Sequence, residues 1–88
     1  MVTVAFDTDC TLKTEIDTPN YAVINLFKSL QGFGCEMYIW SGSGVDYAAR
    51  WAEKFGLTAT VVGKGSFVPD ITVDDQAVTL GRVNIKCT

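Results

Sequence analysis

Apolar residues fall into short blocks whose spacing alternates between strand and helix periods. Val2-Thr3-Val4-Ala5-Phe6 is a β-branched, mostly apolar run that stops at Asp7, the pattern of a buried central strand. Residues 8–18 are polar and irregular and predict a loop. Thr18-Pro19 then offers a helix N-cap and a first helical residue. Val23, Leu26, Phe27 and Leu30 follow at i, i+3, i+4 and i+7, one helical face that Gly32 closes. Cys35 to Trp40 predicts a second strand running into the loop Ser41-Gly42-Ser43-Gly44. A second helix carries Val45, Ala48, Trp51, Ala52 and Phe55 toward the core and stops at Gly56. Thr58 to Val62 predicts a third strand and Gly63-Lys64-Gly65-Ser66 a loop. Ile71-Thr72-Val73 is a fourth strand ending in Asp74-Asp75, and Arg82 to Cys87 a short fifth.

Strands that alternate with helices imply βαβ units, hence an α/β fold with a parallel sheet of four or five strands covered by helices on both faces. In such a sheet the loops after the strand C-termini collect on one edge, where ligands bind. Asp7, Asp9, Ser41, Gly42, Asp74 and Asp75 all fall at those ends, so three separate segments deliver polar groups to one place.

Composition narrows the chemistry. Eighty-eight residues, 48% of them apolar, support one packed domain spanning 1–88 and no second one. No apolar stretch is long enough to cross a bilayer, and Met1 runs straight into strand-like sequence, which predicts neither membrane association nor a secretory leader. Cys10, Cys35 and Cys87 are odd in number and widely spaced, which predicts reduced thiols in a cytoplasmic protein rather than a disulfide framework or zinc site. Histidine is absent, which excludes Ser-His and Cys-His catalysis. Lysines and arginines are scattered singly in a chain of net charge −3, so there is no electrostatic footprint for nucleic acid.

Asp7-Thr8-Asp9 places two carboxylates directly after a buried strand, and Asp74-Asp75 adds two after another. At ~4 Å and an effective dielectric of ~20, each like-charge pair costs about 4 kcal/mol. A fold tolerates such convergence when a divalent cation sits at its centre, and oxygen ligands without histidine or cysteine point to Mg²⁺. Solvated loop aspartates are the plain alternative for either pair taken alone.

The order of these segments resembles the haloacid dehalogenase superfamily, over Val2 to Gln76. Phe6-Asp7-Thr8-Asp9-Cys10-Thr11-Leu12 is similar to its first motif and Tyr38-Ile39-Trp40-Ser41-Gly42 to its second. Lys64 followed by Pro69-Asp70-Ile71-Thr72-Val73-Asp74-Asp75 is similar to its third and fourth. The resemblance implies a three-layer Rossmann-like core without a cap domain, and a magnesium-dependent phosphomonoester hydrolase working through an aspartyl-phosphate on Asp7. Asp9 would be the general acid/base, its backbone carbonyl also on the metal. Ser41, Gly42 and Lys64 would bind the phosphoryl group, Asp75 would contact Mg²⁺ directly, and Asp74 would stand behind it. Cys10 stands where the family usually has glycine. The implied substrate is a phosphorylated small molecule or a macromolecular phosphoester, and the open site would be covered by that substrate or by a second subunit of a homo-oligomer.

Competing patterns fit less well. A two-component receiver domain uses similar residues, but there both acidic clusters precede the hydroxyl, whereas here Ser41 and Lys64 come before Asp74-Asp75. Gly42-x-Gly44 lacks the third small residue of a dinucleotide loop, Tyr47 standing there, and Gly63-Lys64-Gly65 lacks the first glycine and the hydroxyl residue of a P-loop. Lys54, the alternative to Lys64, falls on the second helix as a solvated residue. The alternative function is a degenerate, non-catalytic domain of the same superfamily that binds phosphate or a protein partner.

Overall fold

The computed structural model describes residues 1–87. The chain runs β1 (Thr3–Asp7), α1 (Tyr21–Gly32), β2 (Glu36–Trp40), α2 (Val45–Lys54), β3 (Thr60–Val61), β4 (Ile71–Asp74) and β5 (Val83–Lys86). The five strands form one sheet in the order β3-β2-β1-β4-β5, every neighbouring pair parallel. The α/β class and the parallel sheet agree with the alternating pattern of the sequence.

Side-chain alternation assigns the two faces. Val4 and Phe6 of β1 lie level with Met37 and Ile39 of β2, and all four share one buried cluster with Val73, with Val23, Ile24 and Phe27 of α1 and with Ala48 and Ala52 of α2. Phe6 and Phe27 meet edge to face, their ring centroids 5.2 Å apart. Both helices therefore cover the same face. That corrects the expectation of helices on both sides, and the reason is topological. The chain steps from β1 to β2 to β3 in one direction, and right-handed crossovers then place both connecting helices on one face. The other face presents Ala5, Tyr38, Trp40 and Thr72, and the irregular segment 62–70 lies against it. Phe67 stacks there on Tyr38 at 4.7 Å and on Trp40 at 5.9 Å.

Element bounds and helix faces also depart from the periodic reading. Helix α1 starts at Tyr21 with Asn20 as N-cap, not at Pro19. Pro19 is held in a bridge to Lys13, and the Thr18 hydroxyl lies 2.7 Å from that of Thr14 instead of capping the helix. Its buried stripe is Val23, Ile24 and Phe27, with Leu26 exposed. On α2 the buried pair is Ala48 and Ala52, and Val45 is exposed. Strand β3 shrinks to Thr60–Val61, the residues that pair with Tyr38 and Ile39, and the Thr58 carbonyl, outside the ladder, accepts the Gln31 side-chain amide. No helix among the described residues is long and apolar enough to cross a membrane.

Strand order fixes where a ligand can sit. From the C-terminal end of β1 the chain leaves toward β2, and from that of β4 toward β5, so a crevice opens between these neighbouring strand ends. Asp7 closes β1 and Asp74 closes β4.

Candidate active site

The loop after β1 is a tight turn. The Thr8 carbonyl accepts the N–H groups of Thr11 and Lys13, while the Thr8 hydroxyl donates to the Trp40 carbonyl at 3.0 Å and ties the loop to the end of β2. Cys10 takes φ +57°, the left-handed turn residue, which accounts for glycine being the usual occupant of this position in the resembled motif. The turn brings Asp7, Asp9 and Thr11 around the crevice and leaves Cys10 exposed.

Asp7, Asp74 and Asp75 each place a carboxylate oxygen within 4.8 Å of the others, and the first two are buried. Lys64, from the loop after β3, reaches into this group, its Nζ 3.1 Å from Asp7 Oδ1 and 2.8 Å from Asp74 Oδ2. The ammonium thus bridges the two buried carboxylates, donating to Asp7 and pairing with Asp74. Burial, and then the negative charge of Asp74, push the Asp7 carboxyl up to about 6, against the opposing pull of Lys64. Burial pulls the Lys64 ammonium down, but the Asp74 and Asp7 carboxylates outweigh it and hold its pKa above the usual lysine value.

The two oxygens of Asp7 face different partners. Oδ1 faces Lys64, while Oδ2 lies 3.4 Å from the Thr11 hydroxyl. That hydroxyl is also 3.5 Å from the Asp9 carbonyl and 3.5 Å from Asp75 Oδ1. The Thr11 hydroxyl thus sits among three oxygens from two strand ends, at distances too long for strong hydrogen bonds. Asp74 is turned the other way: its Oδ1 accepts the Gln76 N–H at 2.9 Å, and its Oδ2 faces Lys64.

Ser41 is buried at the end of β2, and its Oγ accepts the Ser43 N–H at 3.0 Å, which leaves the hydroxyl hydrogen free to donate elsewhere. A β-carbon built at Gly42 or Gly44 would meet no atom within 4 Å, so the backbone beside Ser41 is open to a ligand. The described residues enclose no pocket here, and the crevice opens to solvent.

The Asp9 carboxylate is not part of the three-carboxylate group. It turns toward α2, where Oδ1 accepts a 2.5 Å hydrogen bond from the Tyr47 hydroxyl and pairs with Lys13 Nζ at 3.0 Å. Burial acts to raise its pKa, but Tyr47 and Lys13 win and hold it below the usual carboxylate range. Lys13 is itself buried, bonded to Asp17 at 2.6 Å and seated 5.0 Å from the Trp51 ring centre, and Asp17 first, then Asp9, keep it firmly charged against the effect of burial.

Lys13, Tyr47 and Thr11 were not among the residues expected from sequence. The spacing of Asp9, Lys13 and Asp17 at i, i+4 and i+8 is a signal for Lys13, although in a loop it does not imply contact. Tyr47 meets Asp9 across 38 residues of chain, which no local pattern conveys.

Compared with known proteins, the chain matches no family model, no curated protein and no solved structure.

Proposed function

We propose that the chain is a magnesium-dependent phosphomonoester hydrolase of the haloacid dehalogenase type, with Asp7 as nucleophile. The observation that carries this reading is the division between the two oxygens of Asp7, one against the Lys64 ammonium and the other beside the Thr11 hydroxyl, which also neighbours Asp75 and the Asp9 carbonyl. A nucleophilic carboxylate at a phosphoryl centre needs charge neutralised on both sides.

The residues fit a divalent ion. With Asp7, Asp74 and Asp75 ionised, Lys64 leaves an excess of two negative charges among them. The donors are all oxygens, which suits Mg²⁺. Asp7, Asp75 and the Asp9 carbonyl would hold it, with Asp74 behind. Bound there, Mg²⁺ would neutralise phosphoryl charge and align the ester with Asp7.

The protein's own groups then divide the work. A carboxylate oxygen of Asp7 attacks phosphorus while the ester P–O bond breaks. Asp9, which Tyr47 and Lys13 hold ionised in the free protein, takes up a proton as the phosphate dianion binds beside it and passes that proton to the leaving oxygen to release an alcohol. Asp9, now ionised, takes a proton from water as that water's oxygen attacks phosphorus, and the bond to Asp7 breaks to release phosphate. The Ser41 hydroxyl, the Gly42 N–H and Lys64 hold the phosphoryl oxygens. The open crevice suits a phosphorylated small molecule that leaves quickly or a macromolecular phosphoester that covers the site itself.

Hydrolysis of 4-nitrophenyl phosphate, followed by a panel of metabolite phosphates, tests the assignment with Mg²⁺ and with chelator. The expected outcome is magnesium-dependent turnover that Asp7→Asn abolishes. Turnover that survives in Asp7→Asn would remove Asp7 from the nucleophile's role. A panel with no turnover, together with binding of inorganic phosphate, would favour the non-catalytic domain.

A further inference from the structure

Asp9 is held by one oxygen only. Oδ1 carries both the Tyr47 and the Lys13 contacts, and Oδ2 has no hydrogen bond among the described residues. The partners of Oδ1 come from different elements, Tyr47 from α2 and Lys13 from the loop after β1. Each is fixed in turn. Lys13 is clamped by Asp17 and lies over the rings of Trp51 and Tyr47, at 5.0 and 5.9 Å. Tyr47 packs edge to face on Trp51 at 6.4 Å, and Trp51 on Phe55 at 5.4 Å. Tyr47 and Trp51, at i and i+4 on α2, form the wall behind Asp9; of the two, the periodic pattern of the sequence places only Trp51, and places it toward the core.

A carboxylate that moves a proton needs one oxygen for the reacting proton and orients best when its other oxygen is pinned. We infer that Tyr47, with Lys13 behind it, is the positioning residue that fixes Asp9 for proton transfer to the leaving group. The inference rests on the hydrolase reading above. Tyr47 touches neither phosphorus nor metal ligand side chains; it acts through Asp9.

The test compares two esters by kcat/KM, which reports the steps through phosphorylation of Asp7. Ethyl phosphate has a poor leaving group that needs the proton, whereas the phenolate of 4-nitrophenyl phosphate leaves without it. Tyr47→Phe is expected to lower kcat/KM on ethyl phosphate by about 10- to 100-fold while the aryl ester stays within about threefold. In an Asp9→Asn background the same change is expected to add nothing. Lys13→Met removes the other partner of the same oxygen and should show the same dependence on leaving group. It carries the test if Tyr47→Phe does not fold, and all assays are run below each variant's melting temperature. Equal losses on both esters, a rise on ethyl phosphate (the result if Tyr47 acts only by holding the proton off Asp9), or a full-sized loss in the Asp9→Asn background would overturn the positioning role and leave the hydrolase reading standing. A wild-type protein that turns over neither ester would overturn both.

Discussion

A β-carbon at φ +57° crowds the neighbouring backbone, and Cys10 accepts that conformation because the turn between Asp7 and Thr11 needs it. The side chain is exposed, so exchanging it alters little but the backbone preference. Cys10→Gly is expected to stabilise the fold by about 0.5–1 kcal/mol, the relief of strain exceeding the extra freedom given to the unfolded chain. For a domain this size that raises Tm by roughly 2–8 °C, and Cys10→Val should lower it by a similar amount; thermal melts of the three proteins decide. The sequence showed Cys10 as a departure from a motif, but only the positive φ says what the departure costs. Asp7, Ser41, Lys64 and Asp75 were legible because each follows a strand or sits in a short loop beside one. Tyr47 was not, because its contact with Asp9 depends on the direction in which the Asp9 side chain turns.

At the scale of elements, two glycines should respond oppositely to one substitution. A β-carbon at Gly81 would lie 2.8 Å from Thr72 Cγ2, 3.1 Å from the Pro69 carbonyl and 3.3 Å from the Thr72 nitrogen. Thr72 cannot turn aside, since it is fully buried and its hydroxyl donates to Asn84 Oδ1 at 2.7 Å. Asn84 also accepts the Gly81 N–H and donates to its carbonyl, so this close approach fastens β5 to β4. Gly81→Ala is therefore expected to cost about 2–3 kcal/mol in urea denaturation. Gly32, at the end of α1, has open space around it and no positive φ, and Gly32→Ala should be neutral or gain up to about 1 kcal/mol. Composition cannot separate these glycines. The pattern found every strand and both helices, because apolar blocks and turn residues are local signals. It missed that both helices share one face, since helix placement follows from strand order, and order is set by pairings between distant segments.

For the whole molecule, the candidate site is a liability to stability that Mg²⁺ should relieve. The Asp7 carboxyl rises from its ordinary 3.8 to about 6 on folding, by burial and by the charge of Asp74. A folded state with the higher pKa binds more protons between these values, so this group makes folding less favourable as pH rises from about 4 to 6. The full cost stands above pH 6, about 1–2 kcal/mol once screening at a solvent-facing crevice is allowed for. Asp9 and Asp70 shift the other way. Tyr47 and Lys13 outweigh burial at Asp9, and the Thr3 N–H and hydroxyl lower Asp70, so both add stability above the unfolded carboxylate pKa and lose it only in more acid solution. Subtracting the pH–stability curve of Asp7→Asn from that of the wild type isolates Asp7. In chelator, the wild type should lose stability relative to Asp7→Asn across pH 4 to 6 and remain the less stable protein at pH 7. Millimolar Mg²⁺ should stabilise the wild type at pH 7 and Asp7→Asn much less, because the variant lacks the carboxylate charge that the ion would neutralise. If the two proteins gain equally from Mg²⁺, the ion binds elsewhere on the acidic surface. If the difference curve is flat from pH 4 to 6, the buried Asp7 carboxylate is already neutralised by Lys64 alone, and the fold has no need of a metal.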